Sequence, residues 1–111
     1  MILNIYIDDQ HYPLDVADAL VSDAEDFFAK LDADMAKGWQ MSREWVESPN
    51  ATQRCQIVAD KLMAALQVDN PQLVSMLAAY LLARIPGLKG VRIDASGEMQ
   101  ETEFVMGAGA A

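Results

Sequence analysis

The segment between Asn70 and Pro86 constrains the fold most, because it is apolar almost all round a helical cylinder. Asn70 suits an N-cap, Pro71 suits the first helical position, and Pro86 with the following glycine ends the segment. A helix that is apolar on every side is normally central in a domain or lies between subunits. We therefore predict a central helix, and a two-fold homodimer built on this helix is an alternative. Its apolar members are Leu73, Val74, Met76, Leu77, Ala78, Tyr80, Leu81, Leu82 and Ile85.

Two more helices are predicted before this one. Residues 20–35 carry apolar side chains at the three- and four-residue spacings of one helical stripe, and Gly38 suits the end of that helix. The next helix runs to about Val68, with an inner stripe that includes Cys55 and Leu62. Suitable N-caps are Asp15 or Asp18 for the first helix and Ser48 or Asn50 for the second.

Short β-rich runs flank the helices. Residues 2–7 and 11–16 predict an N-terminal hairpin, in which Pro13 restricts the second strand to a sheet edge. Residues 91–94 and 102–106 predict a C-terminal hairpin. The predicted fold class is α+β, with three helices packed on a small antiparallel sheet made of the N-terminal and C-terminal hairpins.

The size and composition of the chain indicate one domain. It has 111 residues, of which 52% are hydrophobic, so it is long enough and apolar enough to bury a core. We predict a single α+β domain over residues 1–106 and a flexible C-terminal tail at residues 107–111. Cys55 is the one cysteine, and the N-terminus has no basic, apolar leader, so we expect a cytoplasmic protein.

Nearly all of the net charge lies in the first third of the chain. Residues 8–34 hold nine acids and one base, which gives −8 of the −9 carried by the whole chain. An acidic surface of this kind repels anionic partners and attracts cationic ones. Because the eight basic residues are scattered, we expect neither nucleic acid nor a membrane surface as a partner.

A small acidic and imidazole cluster is one candidate for chemistry. Asp8, Asp9, His11 and Asp15 lie within eight residues, and these side chains are able to bind a divalent metal or let His11 act as a base. Aspartates are also common in hairpin turns for conformational reasons, which favours a solvated turn. Cys55 has no neighbouring base and falls on the inner stripe of its helix, so we assign it a structural role.

Both tryptophans lie in the connection between the first two predicted helices. In an extended segment Trp39, Met41, Arg43 and Trp45 would point the same way, because side chains alternate along a strand. Tryptophan, methionine and arginine are enriched where proteins bind one another. The alternative is that the tryptophans pack this connection onto the core of their own chain.

Our leading hypothesis is a small acidic binding or accessory protein that engages a basic protein partner, with no cofactor and no metal. One alternative is a small metal-dependent or subunit-dependent enzyme that uses Asp8, Asp9, His11 and Asp15. Another is a structural homodimer built on the central apolar helix. Whether the chain is an enzyme stays open, and the sequence favours a protein without its own catalytic centre. The predicted partner-binding residues are Asp18, Asp23, Asp26, Trp39, Met41, Arg43 and Trp45.

Overall fold

The computed structural model describes residues 1–107 and has the α+β architecture that the sequence predicts. The tail predicted at residues 107–111 lies outside the described residues apart from Gly107, whose N–H donates to the Gly87 carbonyl at 2.9 Å. In the described range the helices are α1 Asp18–Asp23, α2 Glu25–Ala36, α3 Ala51–Gln67 and α4 Pro71–Arg84, with a short 3₁₀ turn at Met99–Glu101. The strands are β1 Ile2–Ile7, β2 Gln10–Asp15, β3 Trp39–Met41, β4 Glu44–Val46, β5 Leu88–Ile93 and β6 Glu103–Met106.

The main sheet joins the two predicted hairpins side by side in the order β2-β1-β5-β6. Each hairpin is antiparallel, but β1 and β5 run parallel and pair Asn4 with Gly90, so the sheet is mixed rather than wholly antiparallel. Parallel neighbours need a long crossover, and here it contains all four helices. Pro13 lies on edge strand β2, as its missing N–H requires.

The helices cover one face of this sheet. Leu3 and Ile5 of β1 and Val91 of β5 have no exposed surface, whereas Tyr6, which follows Ile5 and lies on the opposite face, is half-buried. Helix α4 is central, as predicted. Seven of its residues are buried within a single chain: Val74, Leu77, Ala78, Ala79, Tyr80, Leu81 and Leu82. Its apolar surface is therefore explained without a second copy, and the homodimer stays a prediction.

The first predicted helix is divided into α1 and α2 at Ala24, which has φ −98° and ψ 26°. Neither Asp15 nor Asp18 caps it, because the N-cap residue is Ala17 and no side chain bonds there. The Asp18 carboxylate instead accepts a hydrogen bond of 3.0 Å from the N-terminal amine. The predicted end of the helix at Gly38 is confirmed by its φ of +107°.

The caps of the two long helices are confirmed. Asn50 and Gln53 form a reciprocal capping box at the start of α3, with N···O distances of 2.8 and 2.9 Å. Asn70 accepts from the Leu73 N–H at 3.3 Å, and Pro71 is the first residue of α4. No helix in the described residues is long and apolar enough to cross a membrane.

Candidate functional site

The connection that contains both tryptophans is a β-hairpin made of β3 and β4. The chain reverses after Met41 at Ser42, which has φ +60°, and strand pairing places Trp39 opposite Val46. Trp45 pairs with Gln40 and therefore lies on the other face from Trp39. The expectation that the four residues share one face is wrong for this reason.

Two hydrogen bonds from one element, the 3₁₀ turn Met99–Glu101, hold this hairpin against the rest of the molecule. The Met99 N–H donates to Ser42 Oγ at 2.9 Å, and Gln100 Nε2 donates to Glu44 Oε1 at 3.1 Å. Both donors belong to the 3₁₀ turn that precedes β6, more than 50 residues along the chain. These long-range bonds fix the hairpin to the domain, so the side chains that it displays are positioned in advance.

Trp45 is the largest exposed apolar side chain in the described part of the chain, with 57% of its surface exposed. Its indole lies across the backbone of Gly38, where a Cβ atom would come within 2.4 Å of the ring. Gly38 also needs its left-handed backbone, with φ +107°, to end α2. One glycine therefore ends the helix and seats the tryptophan ring.

The other predicted partner-binding residues of the segment lie in different environments. Trp39 is half-buried, and the Lys61 ammonium lies 4.5 Å from its ring centroid. Met41 is only 1% exposed and packs in the core, so a partner does not reach it in this conformation. The Arg43 side chain is 92% exposed, and its Nε lies 3.7 Å from Glu98 Oε1.

The predicted acidic residues lie in α1 and at the start of α2, whereas the tryptophan hairpin follows the end of α2. Asp18, Asp23 and Asp26 are all exposed, and Asp18 is paired with the N-terminal amine. From Asp26 to Ala36, the last residue of α2, the helix rises by about 15 Å at ~1.5 Å per residue. The structure therefore separates the acidic residues from the tryptophan hairpin instead of forming one compact site.

The cluster considered for metal binding is spread along the N-terminal hairpin. Residues 8–9 form its turn, whereas Asp15 lies at the far end of β2. His11 stacks on Tyr6 with ring centroids 4.8 Å apart, and its Nε2 lies 2.9 Å from Asn4 Oδ1. No three His, Cys, Asp or Glu side chains within residues 1–107 are arranged to hold a metal ion.

A charged network that the sequence analysis missed connects α2 to α4. Tyr80 Oη donates to Asp32 Oδ1 at 2.5 Å, and Arg84 donates to Asp32 Oδ2 from Nη2 at 2.8 Å and from Nε at 3.2 Å. Arg84 also donates twice to Glu25, at 3.0 and 3.1 Å. These bonds to Glu25, together with Asp32, raise the pKa of Arg84, and burial with the bond to Asp32 raises the pKa of Tyr80. Both donors therefore keep their protons.

A sequence signal for this network did exist. Asp32 follows Phe28 by four residues and precedes Met35 by three, so it occupies the inward stripe of α2 although it is an acid. Arg84 is the basic residue in the last turn of an otherwise apolar helix. An acid and a base at such positions indicate an ion pair inside the domain.

A pocket of about 320 Å³ opens beside this network, between α2, α3, α4 and β6. Its charged wall consists of Asp32, Arg54 and Arg84, and its apolar wall includes Ile85 and Phe104. Cys55 also lines the pocket, and burial, followed by the charge of Asp32, raises the pKa of its thiol to about 11. The thiol is therefore protonated at neutral pH and is a poor nucleophile, as the structural assignment of Cys55 requires. The arrangement is suited to binding rather than to covalent chemistry.

Comparison with family models, curated proteins and solved structures finds no match for this chain. The functional argument therefore depends on the placement of its own residues.

Proposed function

We propose that this protein is a binding module that docks on a basic surface of another protein, with Trp45 as the anchor. The observation that carries the proposal is the exposed indole of Trp45, which is seated on Gly38 and displayed by a hairpin bonded to the domain. Exposed tryptophans supply a large share of the binding energy at many interfaces. A side chain that is already positioned loses little conformational entropy on binding.

The charge of the chain supports a basic partner. The net charge is −9, and Asp18, Asp23 and Asp26 are exposed; about 15 Å of helix separates Asp26 from Ala36 at the hairpin end of α2. That separation exceeds a Debye length of about 8 Å at physiological salt, so we expect the acidic residues to accelerate encounter at low salt rather than to hold the complex. We therefore expect Trp45 to control the dissociation rate and the acidic residues to control the association rate. Arg43 lies in the turn of the same hairpin, two residues before Trp45.

The test begins with parallel affinity capture from a lysate of the source organism. The baits are the wild type, Trp45→Ala, and Tyr12→Ala as a matched control, because Tyr12 is a 37% exposed aromatic residue on a distant strand. We expect a basic protein that the wild type and Tyr12→Ala retain and that Trp45→Ala loses. Equal recovery of every captured protein by all three baits would contradict the anchor assignment.

Kinetic measurements with the captured protein then separate the two roles. Trp45→Ala is expected to increase the dissociation rate by at least about tenfold, which corresponds to ~1.4 kcal/mol, at every salt concentration. A variant with Asp18, Asp23 and Asp26 changed to Asn is expected to slow association at low salt only. An association rate that does not respond to these three substitutions would remove the steering role while leaving the anchor intact.

A further inference from the structure

The pocket beside Asp32 contains hydrogen-bond donors without acceptors. Arg54 donates from Nε to the Pro49 carbonyl at 3.0 Å, but in the described residues neither of its Nη atoms donates a hydrogen bond. The nearest carboxylate oxygen, Asp32 Oδ1, is 3.9 Å from Arg54 Nη1 and already accepts from Tyr80. The Arg54 side chain is 30% exposed and lines the pocket, so its outer nitrogens are accessible to a ligand that enters there.

The acidic side of the pocket is largely occupied by donors of the protein itself. One oxygen of Asp32 accepts from Tyr80, and the other accepts two hydrogen bonds from Arg84. A cationic ligand would therefore find only one unused acceptor site, on Asp32 Oδ1, and the Arg54 cation lies 3.9 Å from that oxygen, whereas an anion would meet the two unused nitrogens of Arg54. A guanidinium edge of this kind matches the two oxygens of a carboxylate.

The remaining walls favour a ligand with an apolar part. Ile85 and Phe104 line the pocket, and both are only partly buried, so they offer accessible apolar surface. The volume of about 320 Å³ lies at the small end of the range for ligand sites, which is about 300–1,000 Å³. The net charge of −9 repels multiply charged anions more strongly than single ones. A small monocarboxylate with an apolar tail satisfies all of these conditions.

We propose that the pocket between α2, α3, α4 and β6 binds a small organic monocarboxylate. The carboxylate lies against the Nη atoms of Arg54, and the apolar tail contacts Ile85 and Phe104. The Asp32–Tyr80–Arg84 network holds the charged wall in place and does not contact the ligand's tail. This binding is independent of the docking function proposed above, and Trp45→Ala is expected to retain it.

Amide NMR of the full chain with hexanoate as the probe tests this assignment. We expect saturable shift changes centred on Thr52 and Phe104, and at least tenfold weaker binding of hexanamide, which has the same tail without the charge. Arg54→Gln is expected to weaken hexanoate binding at least tenfold. Lys61→Gln is the matched control, because it removes a positive charge from the same helix away from the pocket, and less than a twofold change is expected.

A second variant keeps the test decisive if Arg54→Gln disturbs the fold. Ala51 is exposed at the pocket and begins α3, so Ala51→Phe places a ring in the mouth without changing a charge. It is expected to abolish the shift changes at Phe104. Shifts that do not saturate, shifts elsewhere in the chain, equal binding of hexanamide, or undiminished binding to Ala51→Phe would each overturn the proposal.

Discussion

Removal of the Asp32 carboxylate is the most informative perturbation of the stability of this domain. In Asp32→Ala the Tyr80 hydroxyl loses its acceptor in a side chain that is only 1% exposed, and Arg84 loses two hydrogen bonds. An unsatisfied buried hydroxyl costs roughly 1–3 kcal/mol, and charged bonds at this partial exposure add a similar amount. Arg84 keeps its two bonds to Glu25, which limits the loss. We expect the free energy of unfolding to fall by about 3 kcal/mol.

A double-mutant cycle isolates the Tyr80–Asp32 bond. Tyr80→Phe alone is expected to cost about 1.5 kcal/mol of unfolding free energy, because Asp32 Oδ1 loses the hydroxyl that donates to it. In the Asp32→Ala background the same change is expected to restore about 1.5 kcal/mol, because it removes a buried hydroxyl that lacks an acceptor there. The coupling energy is then about 3 kcal/mol.

Urea unfolding, followed by helical circular dichroism, measures all four corners of the cycle. Tyr12→Phe is the matched control, because Tyr12 is 37% exposed, and the expected change is under about 0.5 kcal/mol. Equal costs of Tyr80→Phe in both backgrounds would refute the argument, because the hydroxyl and the carboxylate would then contribute independently. Equal m-values across the series are needed for the comparison.

Three further predictions concern local features. Gly38→Ala is expected to lower the free energy of unfolding by at least about 2 kcal/mol and to red-shift tryptophan emission, because its Cβ would displace Trp45. The control is Gly97→Ala, which has a similar φ of +100° and no atom within 4 Å, and which is expected to cost only about 1 kcal/mol. Equal costs of the two variants and unchanged emission would contradict the contact between Gly38 and Trp45. Asn50→Ala is expected to lower the thermal midpoint through a loss of about 1 kcal/mol from the capping box, as measured by calorimetry, and an unchanged midpoint would show that the cap contributes nothing. Because the pKa of Cys55 is raised from 9.0 to about 11 in the folded state, the unfolded chain loses the thiol proton first, and stability falls as the pH rises from 9 to 11. In urea unfolding over that range the wild type is expected to lose about 1.4 kcal/mol per pH unit more than Cys55→Ala, and parallel pH profiles would contradict the raised pKa.

The parts of the fold that the sequence predicts correctly depend on local chemistry. Asn50 and Asn70 cap helices by bonding amides within three residues, so the signal and its structural effect lie in the same short segment. Gly38 adopts the positive φ that ends a helix, and Pro13 lacks the N–H that a central strand needs. In both cases the chemistry of the single residue is enough to predict its structural position. Element type and order follow from such signals.

The parts that the sequence reasoning missed depend on distant partners or on weak turn signals. The break at Ala24 contains neither glycine nor proline, and the hairpin turn at Ser42 has no Asn-Gly or Asp-Gly pair. The charge count over residues 8–34 treats all nine acids as one surface, but Asp32 is half-buried, and its partners Tyr80 and Arg84 are 48 and 52 residues away. The pocket beside it was therefore also outside what a single sequence could predict.

The parallel pairing of β1 with β5 determines how this chain folds. Asn4 lies beside Gly90, and its side chain donates to the Lys89 carbonyl 85 residues away, so the centre of the sheet forms only after a large loop has closed. Until then the inner face of the β1–β2 hairpin, with Leu3 and Ile5, has no strand beside it on the β5 side. Contacts this distant slow the folding of a domain and favour all-or-none unfolding. A fragment that ends before β5 is expected to lack a stable sheet, and the two ends of the described chain belong to one cooperative unit.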